Sequence, residues 1–159
     1  MDEKLLVVNN LTTSFHLQNG WFPAVEDLSF VLNANETLAL VGESGCGKSV
    51  TAYSIMRLLP KPGSRIDRGS VLFHGNDLVG LPEAKMRTLR GSKLAMIFQE
   101  PMTSLNPALT IGQQIAEVLY YHNGTSRKVA LKGALELLEQ VKIPAASTRL
   151  NDYPHHLSG

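Results

Sequence analysis

The sequence predicts an α/β fold, and three observations carry the prediction. The front of the chain is rich in β-branched and large apolar residues in short runs. A strand-like run, "TLALV" (Thr37–Val41), passes through a glycine-rich turn into the helical pattern "KSVTAYSIMRLL" (Lys48–Leu59). Beyond Pro101 the apolar positions change to helical spacing.

Taken in order, "KLLVVNNL" (Lys4–Leu11) and "LSFVLNANETLALVG" (Leu28–Gly42) read as strands, with Asn33 to Asn35 as a turn between two β-rich runs. A helix begins near Gly47. "KPGSRIDRGSVLFHGNDL" (Lys61–Leu78) then supplies a loop and a short strand, and "KLAMIFQ" (Lys93–Gln99) reads as a buried strand. From Ser126 the residues Leu131, Ala134, Leu135, Leu138 and Val141 fall on one helical face, and Pro144 ends the run. No repeat, low-complexity tract or linker separates the β-rich part from the helical part, so two lobes of one folding unit are expected.

Composition narrows the function classes. The 159 residues carry 15 basic and 14 acidic side chains, a net charge of +1, which offers no electrostatic footprint for nucleic acid and no polybasic lipid anchor. The opening "MDEKLLVVNN" lacks the apolar core of an export signal. No apolar run approaches the roughly 20 residues that span a bilayer, so a membrane role is expected only through a partner. A single cysteine excludes an internal disulfide and fits a reducing compartment.

The glycine-rich turn has a specific chemistry. Gly42, Gly45, Gly47, Lys48 and Ser49 satisfy G-x-x-x-x-G-K-[ST], with a predicted strand before and a predicted helix after. Glycines let the N–H groups of the loop converge on phosphate oxygens, and the helix N-terminus adds unpaired donors and partial positive charge. The stretch Gly42, Glu43, Ser44, Gly45, Cys46, Gly47, Lys48, Ser49 and Val50 is therefore expected to hold a nucleotide. Lys48 should reach the β- and γ-phosphates and the Ser49 hydroxyl should ligate Mg²⁺. Cys46 is read either as a reactive thiol at a helix N-terminus or as an inert filler. Gln99, at the end of its predicted strand, is either a strand end or an amide that offers oxygen to Mg²⁺ and a hydrogen bond to attacking water. The loop alone leaves open kinases, GTPases and several classes of ATPase.

Three stretches are similar to one family. "GESGCGKS", "IFQEPMTSLNP" and "YPHHLSG" resemble the Walker A motif, the Q-loop and the start of the LSGGQ signature of ABC transporter ATP-binding subunits, in the style of bacterial peptide and nickel importers. The resemblance implies a P-loop NTPase core of ABC ATPase type with an antiparallel β-subdomain and a helical subdomain, incomplete at its C-terminal end. Residues 1–100 would hold the β-subdomain and core, and 101–159 the Q-loop and helical subdomain. It also implies ATP and Mg²⁺ as cofactors and ATP hydrolysis coupled to import. The implied partners are a second ATP-binding subunit, permease subunits reached through the loop after Gln99 and, indirectly, a solute-binding protein, on the cytoplasmic face of a bacterial inner membrane. Gln99 would be catalytic and a Mg²⁺ ligand with Ser49, while Ser158 and Gly159 would contact the γ-phosphate of the opposite subunit. Adenine would stack on an aromatic before the second strand. Phe15 matches, with Trp21 and Phe22 as alternatives.

The expected Walker B aspartate, catalytic glutamate and switch histidine have no match in these 159 residues, so the piece alone is expected to be inactive. Glu43 and Glu100 read as solvated carboxylates, and the adjacent His155 and His156 as loop residues, not a metal pair. Two other readings are a non-transport ABC-type ATPase and a non-catalytic nucleotide-binding remnant.

Overall fold

The computed structural model describes residues 3–100 and 104–156. Two compact units make up the chain, Met1–Arg87 and Thr88–Gly159.

The first unit is built on an antiparallel sheet of order β2-β1-β3-β4, with β1 Lys4–Leu17, β2 Gly20–Asn33, β3 Ser64–Phe73 and β4 Asn76–Asp77. β1 and β2 form a long hairpin closed at Gln18–Asn19, with Leu17 opposite Gly20 and Phe15 opposite Phe22. Gly20, the first residue after the turn, takes a φ of 124°. Both strands run well past the limits expected from their apolar cores. The extra length brings Phe15, Trp21 and Phe22 into the ladder. β3 and β4 turn through His74 and Gly75, both at positive φ.

Near the middle of the hairpin the ladder slips. Asn10 and Asp27 take φ of 44° and 52°, the Asn10 amide donates to Asp27 Oδ1 at 2.9 Å, and Asp27 N–H donates to Thr12 Oγ1 at 3.1 Å. Such bulges increase local twist and re-aim the residues beyond them. Leu11, Val8 and Val71 are fully buried on this sheet.

Helix α1 (Lys48–Met56) packs on the sheet. It ends in a left-handed Arg57, whose guanidinium donates to the carbonyls of Leu78 and Leu81. A short helix α2 (Glu83–Leu89) follows, with Met86 buried.

The second unit holds helices α3 (Ile111–Asn123), α4 (Arg127–Gln140) and α5 (Ala146–Arg149), then a 3₁₀ turn Pro154–His156. Ser126, at the start of the periodic run, caps α4 by accepting from the Val129 N–H. The buried line is Ala130, Ala134 and Leu138, while Leu131 and Val141 are exposed, so the inward face is rotated toward the small residues. Alanines suit this position because Ala116 of α3 packs on Ala130 and Ala134 and lets the helices approach closely. Thr110 and Gln113 form a reciprocal capping box at the start of α3.

Two predicted strands are absent. Residues 36–43 and 95–98 carry no regular secondary structure, and Val41 and Ile97 are 89% and 95% exposed. A strand needs a neighbour to bond its N–H and C=O groups. Apolar runs report a demand for burial, and among the described residues no strand pairs with either segment. None of the described helices is long and apolar enough to cross a membrane.

Candidate functional site

The glycine-rich loop lies in the first unit. Gly45 and Gly47 take φ of 86° and 91°, a region costly for side-chain-bearing residues. At Gly47 a Cβ would fall 2.5 Å from the Ala24 carbonyl oxygen and 3.1 Å from Val25 Cγ2, so bare backbone lets the loop sit directly on β2. Gly47 is the N-cap of α1 and has no side-chain cap, and the first turn of the helix holds no acidic residue. The N–H groups of Lys48, Ser49 and Val50 therefore lack intrahelical acceptors, which leaves donors and partial positive charge for an anion. Ser49 is exposed on that first turn.

Lys48 folds back over the loop. Its ammonium donates to the carbonyls of Gly42 at 2.7 Å and Glu43 at 2.6 Å, and lies 3.4 Å from Cys46 Sγ. The charge thus stands over the loop, on acceptors that an anion of higher charge would replace. Cys46 is a free, exposed thiol, and the Glu43 side chain is also exposed. Unpaired backbone donors at a helix N-terminus, with one cation beside them and no carboxylate in the helix's first turn, fit a polyphosphate and its counter-ion.

Two supports were not read from the sequence. The Ala24–Val25 step of β2 seats Gly47. Helix α1 is tied to β1 by Ser54 Oγ and Thr13 Oγ1 at 2.9 Å, both side chains buried. Ser54 also donates to the Val50 carbonyl at 2.7 Å, so its single proton is engaged and Thr13 is the donor in the pair. Thr51, likewise buried, donates to the Gly47 carbonyl at 3.0 Å. Two hydroxyls three residues apart in the helical run, Thr51 and Ser54, were the available signal.

The three aromatic candidates divide between the faces of the hairpin. Against β3, β1 is regular from Thr13 to Phe15, so Phe15 shares the face on which Thr13 meets α1, and Phe22 stands opposite it. Trp21 lies on the other face, edge-on to His16 at 5.1 Å and with the Arg65 guanidinium 4.0 Å above its ring. Arg65 Nε donates to Asp67 at 2.6 Å, and the Ser14 hydroxyl donates to the other carboxylate oxygen. The Ser14 hydrogen bond, aided by Arg65, holds the Asp67 carboxyl below its usual range against a smaller opposing effect of burial.

Gln99 belongs to the second unit and is exposed in a bend, not at the end of a buried strand. The loop that follows is anchored at its far end. Gln114 accepts from the Asn106 N–H at 2.8 Å and donates to the carbonyls of Asn106 and Leu109, each at 3.0 Å. Ser158 and Gly159 lie outside the described residues. His155 and His156 touch each other and Tyr153 as rings, and no metal-binding cluster occurs among the described residues.

Comparison with known proteins adds the following. The ABC transporter family matches residues 25–159. The oligopeptide transport ATP-binding protein OppD of Bacillus subtilis (strain 168) is 49% identical over 156 residues, covering 98% of this chain and 44% of that protein. A putative peptide import ATP-binding protein of Brucella abortus (strain 2308) is 50% identical over 155 residues, covering 98% and 46%. The chain thus spans a little under half the length of these relatives. Among solved structures, a dimeric ABC transporter cassette, MJ0796, superposes with a TM-score of 0.82 at 22% identity, over 97% of this chain and 63% of that one. The same cassette in a post-hydrolysis state bound to ADP and Pi gives 0.81 at 22% identity, over 96% and 63%. At that identity the likeness concerns the fold.

Proposed function

This chain belongs to the ABC transporter family, and we propose on that footing that it is part of the ATP-binding subunit of an importer for peptides or related small solutes. The observation that carries the reading is the loop from Gly42 to Ser49. Its glycine backbone, the capless N-terminus of α1 and the Lys48 ammonium held at the Gly42 and Glu43 carbonyls support a site for the β- and γ-phosphates of ATP. The names of the relatives support the transported class.

The residues divide the work by chemistry. Gly42, Glu43, Ser44, Gly45, Cys46, Gly47 and Val50 contribute backbone donors, and Lys48 exchanges the carbonyls of Gly42 and Glu43 for phosphate oxygens. Phe15 supports adenine. The Ser49 hydroxyl and the Gln99 amide would hold Mg²⁺, which when bound neutralises charge on the phosphate oxygens. Gln99 and the loop to Asn106 carry the signal to a permease subunit, and Ser158 with Gly159 meets nucleotide held by a second ATP-binding subunit. Residues 1–100 supply core and β-subdomain, and 101–159 the Q-loop and helical subdomain. Hydrolysis belongs to the full-length protein at the inner face of a membrane, because neither Glu43 nor Glu100 is matched to the role of a base.

Isothermal titration of Mg-ATP into full-length protein and its Lys48→Ala variant tests the phosphate site. Loss of one charge-assisted contact of about 1.5–3 kcal/mol should weaken binding roughly 10- to 100-fold. Equal affinities would remove Lys48 and its loop from the site.

A further inference from the structure

The outer face of the hairpin carries a cluster that the phosphate loop does not account for: Ser14, Trp21, Arg65 and Asp67. Its place in the ladder gives it a meaning. β1 lies between β2 and β3, and both neighbours carry one residue too many at adjoining steps. On β2, Val25 stands opposite Thr13 and Pro23 opposite Ser14, so Ala24 has no partner on β1. On β3, Arg68 stands opposite Thr12 and Ile66 opposite Thr13, so Asp67 has none. Two bulges thus flank the stretch Thr12 to Ser14, and a bulge bends its strand and re-aims what the strand carries.

Both extra residues are engaged. The Ala24 carbonyl is the atom that a Cβ at Gly47 would meet at 2.5 Å, so the bulge on β2 is the seat of the phosphate loop. Pro23 beside it has no N–H to give a ladder, which suits a bulge on the edge strand of this sheet. The Asp67 carboxylate accepts from the Ser14 hydroxyl through one oxygen and from Arg65 Nε, at 2.6 Å, through the other. Ser14 is buried, so water competes little for that bond. The Arg65 guanidinium lies 4.0 Å above the ring of Trp21 on β2, which closes a bracket across β1. The neighbouring Thr13 meets Ser54 of α1 on the opposite face, at 2.9 Å. Two consecutive residues of β1 are therefore gripped from both faces at the step where Ala24 stands out. A slip of one residue there would exchange the faces of the strand and carry the Ala24 carbonyl away from Gly47.

We propose that Asp67 is a positioning residue for the phosphate loop, holding Ser14 so that Ala24 bulges from β2 beneath Gly47. The proposal rests on the reading of the loop as an ATP site and concerns what keeps that site in shape. Its action is indirect, passing through Ser14, β1 and Ala24.

Titration of inorganic tripolyphosphate with Mg²⁺ into full-length protein tests it, with urea unfolding of each variant as the separate measure of stability. Ser14→Ala and Asp67→Ala should each lower affinity about 3- to 10-fold, the range of one net hydrogen bond. Ser14→Thr keeps the hydroxyl and should bind as the parent does. Ser70→Ala is the control, because it removes a bond between the same two strands away from Ala24, that of Asn9 Nδ2 to Ser70 Oγ at 3.3 Å. It should leave affinity at the parental value whatever it does to stability. Parental affinity in either Ser14→Ala or Asp67→Ala, an equal loss in Ser70→Ala, or no rescue by Ser14→Thr overturns the positioning role. Failure of the loop reading shows separately, as tripolyphosphate affinity that is the same with and without Lys48→Ala.

Discussion

Gly47→Ala asks two things of the backbone, and an internal control separates them. The residue has a φ of 91°, and its new methyl would lie 2.5 Å from the Ala24 carbonyl oxygen. Gly45 has a nearly equal φ of 86°, with nothing within 4 Å of the same ideal Cβ. Both alanines therefore share the strain of positive φ, about 1–3 kcal/mol. Only Gly47→Ala adds steric displacement. Opening the contact from 2.5 to 3.0 Å, the shortest spacing real Cβ atoms show, takes 0.5 Å of movement in loop or strand. Movement of that kind in a packed site costs about 1–3 kcal/mol. Urea unfolding of nucleotide-free full-length protein should then place Gly47→Ala below Gly45→Ala by that amount, with unchanged m-values. Equal stabilities for the two variants would refute the claim that β2 is the seat of the loop.

Three further outcomes follow from the same geometry. Gln99→Ala in a complete transporter should reduce solute uptake more than ATP affinity, and parental rates of both uptake and ATP turnover would dismiss the coupling role. Alkylation of Cys46, free and exposed within the loop, should slow at saturating Mg-ATP because phosphate would cover the thiol. An unchanged labelling rate in folded protein would count against it. Asp67 has a lowered folded pKa, so its contribution is present above about pH 3.9 and fades as pH falls through the folded value. Ser14→Ala removes the largest cause, and NMR titration should show the Asp67 pKa rising toward about 3.9.

How much of this could be read from residues alone depended on the range of the interactions. The phosphate loop was legible because its requirements are local: glycines at 45 and 47 for positive φ, a lysine and a serine at the helix start. The helix from about Ser126 was legible for the same reason, its periodicity being local. The strand readings at 37–41 and 93–99 failed because burial there needs partners from elsewhere in a sheet. The hairpin was underestimated, since "TTSFHLQNGWFPA" alternates poorly in hydrophobicity and its pairing depends on a two-residue turn and on bulges at Asn10 and Asp27. Gln114, the anchor of the loop after Gln99, gave no signal beyond helix periodicity, because its bonds go to backbone five and eight residues away.

Helix α1 meets β1 through a pair of buried hydroxyls, Ser54 and Thr13, and carries a third, Thr51, that bonds its own first turn. Thr51, Ser54 and Thr13 are 2%, 1% and 0% exposed, at positions where leucines would give far more adhesion. Hydrocarbon surfaces tolerate sliding, since one greasy contact replaces another at little loss. A proton aimed from Thr13 at Ser54 does not, and advancing the helix by one residue would strand a hydroxyl in a dry interface at a cost of about 1–3 kcal/mol. The joint works as a detent, weak in pull and sharp in position. A helix whose first turn must keep its amides pointed at one small volume, while ligands come and go in front of it, is better served by an indexed stop than by glue.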